Sequence, residues 1–86
     1  VDNYNVFPNP TTNNISIEFE LEYFQGDNIE LLLRDLKGTV IKSVPVNLER
    51  GYNFFNFNLD DVPKGMYLLQ YKGTKNHIPE KRLIKL

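Results

Sequence analysis

Apolar and polar residues alternate along residues 15–22, and this alternation limits the fold of the chain more than any other feature. Four apolar side chains are separated by one serine and three glutamates: Ile15, Ser16, Ile17, Glu18, Phe19, Glu20, Leu21 and Glu22. Because successive side chains of a β-strand point to opposite faces of a sheet, the pattern predicts a strand with one buried face and one acidic, solvated face. The same period recurs at 52–59, with Phe55, Phe57 and Leu59 on one side and Phe54, Asn56 and Asn58 on the other.

Four more segments predict strands, at 29–33, 39–48, 66–71 and 81–86. Residues 1–7 are either a first strand or the end of a linker. Leucines fill both faces at 31–33, which is typical of a central strand. Pro45 cannot donate to a ladder, so its strand should lie at an edge or carry a bulge. Turn signals recur about every 8–12 residues and no helical pattern intervenes. We therefore predict an all-β fold, an antiparallel immunoglobulin-like β-sandwich of about seven strands.

Composition supports this fold class. The 86 residues contain no alanine, the best helix former, and 11 asparagines, which favour turns. A chain of this length has room for one hydrophobic core, so we expect residues 1–86 to form a single domain. The chain begins at Val1 without a methionine, which suggests a piece of a longer precursor.

Several function classes are disfavoured by charge and residue counts. The formal net charge is −1, which gives no basic footprint for nucleic acid. No run approaches 18 apolar residues, so we expect no membrane insertion. The chain has no cysteine for disulfides or thiolate zinc sites, and we expect no metal and no cofactor.

No catalytic arrangement is evident, and we predict that the domain is not an enzyme. His77 is the only histidine and falls in a polar loop, while Ser16 and Ser43 lie outside any nucleophile-elbow sequence. The five glycines occur singly at turns rather than in a phosphate-binding pattern. Asp60 and Asp61 lack the spacing of a calcium loop and are expected to form a turn capped by Asp side chains.

Aromatic residues leave one rival function open. Surface aromatics can stack on sugars, and four residues are candidates for such a platform: Tyr4, Tyr23, Phe24 and Tyr52. The alternative to a recognition domain is therefore a carbohydrate-binding or structural β-sandwich module of a secreted hydrolase.

An ordered set of segments resembles a known family. These segments are NVFPNPT at 5–11, LRDLKGTV at 33–40, GYN at 51–53, LDDVPKGMYLL at 59–69 and KRLIKL at 81–86. In this order and spacing they resemble the type A C-terminal sorting domain of type IX secretion cargo, the Por secretion tail family of Bacteroidetes. Phe7 stands where the family often has Tyr, and Lys64 where it often has a small residue.

The resemblance implies a function, partners and a location. Such a domain directs an N-terminally fused cargo protein across the outer membrane through the type IX secretion system, and is then cleaved at the cell surface. The implied partners are shuttle or translocon proteins and a sortase-like peptidase. The implied location is the periplasm in transit, then the cell surface or the medium. We expect cleavage upstream of the first strand, near or before Val1.

Motif residues can be assigned structural or recognition roles. Pro8 and Pro10 should fix a rigid bend into the first strand, in which Asn9 bonds back to the backbone. We expect three turns to depend on these residues, one on Asp35 with Gly38, one on Gly51 and one on Gly65. Tyr67 should be buried, with its hydroxyl at the rim of the core. The charged C-terminal strand supplies the recognition candidates, Lys81, Arg82, Lys85 and Leu86. Its cations could equally be charges that protect a sheet edge.

Overall fold

The computed structural model describes residues 1–22, 28–74 and 78–86, which contain seven β-strands and no helix. The strands are β1 (Asp2–Phe7), β2 (Asn14–Leu21), β3 (Asn28–Asp35), β4 (Val40–Asn47), β5 (Gly51–Asn58), β6 (Gly65–Lys72) and β7 (Lys81–Lys85). The all-β prediction is confirmed. Residues 1–7, for which the sequence allowed either a first strand or the end of a linker, contain the strand β1.

Two antiparallel sheets form a sandwich. One has the strand order β1-β2-β5 and the other β4-β3-β6-β7. Strands that are distant in sequence pair within each sheet, β2 with β5 and β3 with β6. This is the Greek-key pattern of immunoglobulin-like sandwiches. The fold predicted from the strand spacing is confirmed.

The core lies between the sheets and is built from the alternating residues. Ile15, Ile17, Phe19 and Leu21 are all buried, as the period-two pattern predicts. They pack against buried side chains of the other sheet, among them Leu31, Leu33, Leu69 and Leu83. Each such side chain stabilises the fold by about 1.5–3 kcal/mol on burial. The run of three leucines lies on β3, a central strand between β4 and β6, as predicted.

The β3–β4 hairpin has the turn chemistry expected of its sequence. Asp35 Oδ1 accepts hydrogen bonds from the backbone N–H groups of Lys37 and Thr39, both at 2.9 Å. Gly38 has φ +93°, a conformation that side chains with a Cβ rarely adopt. Pro45 lies on β4, which is an edge strand, so its missing N–H interrupts no internal ladder.

The connection from β5 to β6 is a turn, but the capping group differs from the expected one. Val62 N–H donates to Leu59 O at 3.0 Å, and the side chain of Asn58, not an aspartate, accepts from Asp60 N–H at 2.8 Å. Asp61 instead pairs with Lys42 at 3.0 Å, and the Lys42 ammonium holds the pKa of that carboxyl below its ordinary value. Since Lys42 also donates to Asn58 O, this contact joins β4 to the end of β5 in the other sheet.

Gly51, Gly65 and Tyr67 lie at the starts of strands. Gly51 begins β5 and Gly65 begins β6, where an added Cβ would lie 3.5 Å from the Tyr67 hydroxyl oxygen. Tyr67 is 6% exposed, and its hydroxyl donates to Pro63 O at 2.6 Å. The prediction of a buried ring with a bonded hydroxyl is confirmed.

Candidate functional site

Residues 8–11 leave the three-stranded sheet and lie along the outer edge of β7. Thr11 N–H donates to Ile84 O at 2.9 Å, and Leu86 N–H donates to Thr11 O at 2.7 Å. The two bonds form a parallel bridge between Thr11 and Lys85. Since β1 and β2 belong to the other sheet, this segment connects the two sheets at one side of the sandwich.

Asn9 extends the contact with its side chain. Its Nδ2 donates to Arg82 O at 2.9 Å, and its Oδ1 accepts from Ile84 N–H at 3.1 Å. The amide therefore replaces a peptide group of a neighbouring strand. We name residues 8–11 together with 82–86 the terminal clasp, which contains four hydrogen bonds in all.

The backbone partners of Asn9 are far from it in sequence. Asn9 was expected to bond back to the backbone, and its bonds reach residues 73 and 75 positions away. The physical reason is that β7 is an edge strand, whose outward N–H and C=O groups need partners. Pro8 and Pro10 flank Asn9 with fixed φ angles, and the Phe7–Pro8 and Asn9–Pro10 peptide bonds are both cis.

Thr11 is a residue of the clasp for which sequence reasoning assigned no role. It is 2% exposed, its Oγ1 donates to Asn14 O at 2.8 Å, and the same oxygen accepts from Asn13 N–H at 3.2 Å. The available signal was its position between the second proline and a strand, since Thr often bonds backbone two residues ahead. Its side chain fixes the return of the chain into β2, while its backbone bonds β7.

The four recognition candidates do not share one surface. Lys81, Leu83 and Lys85 point toward the other sheet, because Leu83 pairs with the inward-facing Tyr67. The Lys81 ammonium lies 4.9 Å from the centre of the Tyr4 ring, a cation–π contact between sheets. Lys85 is buried, whereas Arg82 and Leu86 are exposed. A role for these residues in recognition stays a prediction.

The aromatic residues considered for a sugar-binding platform differ in their burial. Tyr4 is half-buried and packs against the core in a ring cluster with Phe19 and Tyr71, and its hydroxyl donates to the Tyr71 hydroxyl at 2.9 Å. Burial raises the pKa of Tyr4 to about 12 and raises the pKa of Tyr71 as well. Tyr4 is thus part of the core packing and not of a surface platform. Tyr23, Phe24 and His77 lie outside the described residues.

Tyr52 is exposed and has an exposed neighbour. Its ring lies 6.4 Å from that of Phe54 with an interplanar angle of 23°. The Tyr52 hydroxyl donates to Glu18 Oε2 at 2.7 Å, and this bond raises the pKa of Tyr52. Glu18 also accepts from Asn5 Nδ2 at 3.2 Å. The acidic face predicted for residues 15–22 is therefore tied to β1 and β5 by side-chain bonds.

The described residues contain neither a metal-binding cluster nor a helix that could span a membrane. No three His, Cys, Asp or Glu side chains lie together as a metal site in residues 1–22, 28–74 and 78–86. The same ranges hold no helix with the length and hydropathy of a membrane span.

The structure defines a class of fold, a small immunoglobulin-like β-sandwich in which residues 8–11 are bonded to the last strand. Comparison with known families identifies the member of that class: the family described as the secretion system C-terminal sorting domain matches residues 5–85, and the chain belongs to this family. The match includes both halves of the clasp except Leu86. Searches of curated proteins and of solved structures found no match to the chain.

Membership of the family establishes the general function. The domain is a C-terminal type IX sorting signal of the Bacteroidetes type, and the family is not a catalytic one. It implies interaction with the type IX secretion system and fusion to an N-terminal cargo. It also implies secretion through the outer membrane to the cell surface or the extracellular space.

Proposed function

We propose that the type IX machinery recognises this domain as a folded body and carries the fused cargo through the outer membrane, after which a sortase-like peptidase removes the domain. The terminal clasp is the observation that carries the proposal. Asn9 lies between β1 and β2 of one sheet and Ile84 lies on β7 of the other, so their contact depends on the packing of the two sheets. A signal that includes the clasp is therefore complete only in the folded state.

The clasp also bears on how a partner docks. Strand addition requires a free edge with unpaired N–H and C=O groups. On β7 those groups bond Asn9 and Thr11, so an added strand would have to displace residues 8–11. This favours recognition by side chains over strand addition at the terminal strand.

The proposed cleavage precedes the folded body. Residues from Asp2 onward pair with β2, and the exposed Val1 comes immediately before them. A peptidase needs an extended, accessible segment, which paired strands do not provide. We therefore place the cut near or before Val1, after passage from the periplasm to the cell surface.

Export of a reporter tests the proposal. Residues 1–86 are fused to the C-terminus of a periplasmic reporter enzyme and expressed in a type IX-competent bacterium. In this bacterium we expect reporter activity at the cell surface or in the medium. In a strain that lacks the translocon we expect the activity to stay in the periplasm. Retention in the competent strain, where an established sorting domain exports the same reporter, would overturn the proposal.

The exposed Tyr52–Phe54 pair supports a second candidate function, a carbohydrate-binding module. Parallel exposed rings beside a carboxylate can stack on a sugar and bond its hydroxyls. Titration of the domain with soluble polysaccharides, followed by tyrosine fluorescence, tests it. Saturable binding that Tyr52→Ala abolishes would support this function. A purely structural module would give neither export nor binding.

A further inference from the structure

The outer face of the four-stranded sheet, which faces away from the core, combines apolar side chains with two arginines. Alternation along β3, β6 and β7 and the pairing of β4 with β3 place these residues on it. We name it the arginine face, formed by Leu32, Arg34, Val40, Met66, Leu68, Arg82 and Ile84.

The two arginines lie on either side of one leucine. Arg34 pairs with Leu68 across β3 and β6, and Leu68 pairs with Arg82 across β6 and β7. Neighbouring strands are about 4.8 Å apart, so the backbones of the two arginines are about 10 Å apart. Val40 extends this row beyond Arg34, and Met66 with Ile84 forms the next row.

Neither guanidinium is neutralised within the part of the chain that the structure describes. The ion pair found there joins Lys42 to Asp61, on another side of the domain. Arg34 donates one bond, to Gly38 O at 2.7 Å, which leaves most of its five N–H donors available. Three carboxylates lie on this sheet or beside it, and each accepts bonds from other groups: Glu30 from Ser43, Glu80 from Gln70, and Asp35 from the backbone N–H groups of Lys37 and Thr39.

Apolar surface continues between the arginines. Leu32 is only 5% exposed although it lies on an outer face, which shows that its neighbours cover it closely. Val40 and Met66 are 43% and 40% exposed, and Leu68 and Ile84 are partly exposed. Apolar side chains with arginines among them are a usual composition of a protein-binding patch, because arginine is enriched at such interfaces.

The opposite outer face has a different character. Its carboxylates already accept bonds within the domain, Glu18 from Tyr52 and Asn5, and Glu20 from Asn3. That face therefore carries negative charge, while the arginine face carries positive charge that no carboxylate of the described residues pairs with.

We propose that the arginine face is the surface by which the export machinery reads this domain, and that the partner is a protein surface presenting an apolar side chain between carboxylates. Two guanidiniums on either side of Leu68 require acidic groups of the partner at matching positions. The inference rests on the proposed function. The clasp supports it structurally, because Asn9 holds the part of β7 that carries Arg82 and Ile84.

Charge reversal tests the proposal within the reporter fusion. The variant Arg34→Glu/Arg82→Glu is compared with Glu20→Lys/Glu22→Lys, a matched double reversal of exposed carboxylates away from the arginine face. We expect at least a tenfold fall in the exported fraction for the first and little change for the second. A second variant, Arg34→Gln/Arg82→Gln, removes the charge without introducing repulsion and serves if the first fails to fold.

The outcomes separate the inference from the function on which it rests. If the unaltered fusion stays in the periplasm, the proposed function fails and the inference with it. If the unaltered fusion and both arginine variants are exported equally, the function stands and the inference is overturned. Loss of export that is confined to the arginine variants, in proteins that still fold, supports the inference.

Two solution measurements test whether something other than a protein of the export machinery binds the arginine face. Sedimentation of the 86-residue domain at increasing concentration tests a second copy, and flotation with vesicles of phosphatidylglycerol tests an anionic lipid surface. We expect a monomer that does not float. Association or flotation that Arg34→Glu/Arg82→Glu abolishes would overturn the assignment of a protein partner.

Discussion

The side-chain oxygen of Asn9 accepts a hydrogen bond from the backbone N–H of Ile84, 75 residues later, at 3.1 Å. Together with the bonds of Thr11, it joins the beginning of the domain to its last strand. The edge of β7 is thereby protected from pairing with another chain, a problem that exposed edge strands otherwise present.

Replacing Asn9 should destabilise the domain measurably. Asn9→Ala removes two hydrogen bonds to β7, and an intramolecular hydrogen bond contributes about 1 kcal/mol. We expect a loss of about 1–2 kcal/mol, measured by urea denaturation. The control is Asn47→Ala, since Asn47 is exposed at the end of β4. Equal unfolding midpoints for the two variants would show that the Asn9 bonds do not stabilise β7.

The hairpin turn should depend on one carboxylate. Asp35→Ala removes the acceptor for the N–H groups of Lys37 and Thr39, and we expect a loss of about 1–2 kcal/mol. Thermal unfolding measures it, since 1 kcal/mol shifts the midpoint of a domain this small by roughly 4–8 °C. Asp60→Ala, an exposed aspartate in the other turn, should leave the midpoint nearly unchanged. A similar shift in both variants would contradict a specific role of Asp35.

Stability should fall at high pH because two phenols, those of Tyr4 and Tyr71, are partly buried against the core. The pKa of Tyr4 is raised to about 12 and that of Tyr71 is raised too, so in the folded state both retain their protons above the ordinary value of 10.0. Their contribution is complete below pH 10 and is lost as the pH rises toward the folded-state pKa. Urea midpoints at pH 9 and pH 11 should differ less for Tyr4→Phe/Tyr71→Phe than for the unaltered domain. An identical pH dependence would refute the assignment.

The terminal strand should stabilise the domain through one side chain in particular. Leu83 is fully buried, so Leu83→Ala should cost about 2–5 kcal/mol. Leu86 is 56% exposed and bonds Thr11 through its backbone N–H, which alanine retains. Leu86→Ala should therefore change stability by less than about 0.5 kcal/mol. If the two substitutions cost the same in chemical denaturation, the placement of β7 is wrong.

The strands and turns were predictable because they follow from local rules. Alternation at 15–22 identified β2 and its buried face, and three consecutive leucines identified the central strand β3. The Asp35 and Gly38 turn followed from side-chain capping and a positive φ. The family resemblance rested on segments spread along the whole chain, and the family match confirmed it.

The orientation of the terminal strand was beyond sequence reasoning. One face of residues 81–86 carries Lys81, Leu83 and Lys85, and the other carries Arg82, Ile84 and Leu86. The second set has two apolar residues and the first has one, so the pattern by itself favours burial of the face that the structure leaves outside. The pairing of Leu83 with the buried Tyr67 decides the orientation. The two lysines on the same face are accommodated, Lys85 as a buried residue and Lys81 with its ammonium over the Tyr4 ring.

The amino-acid sequence by itself determined the strand periodicity, the turns and the family of this domain, because these depend on side chains close together in the chain. Only the tertiary structure decided that Asn9 bonds Ile84 and that Arg34, Leu68 and Arg82 form one row. Those relationships depend on which strand edges meet, and edge pairing is set by the burial of the whole core rather than by neighbouring residues.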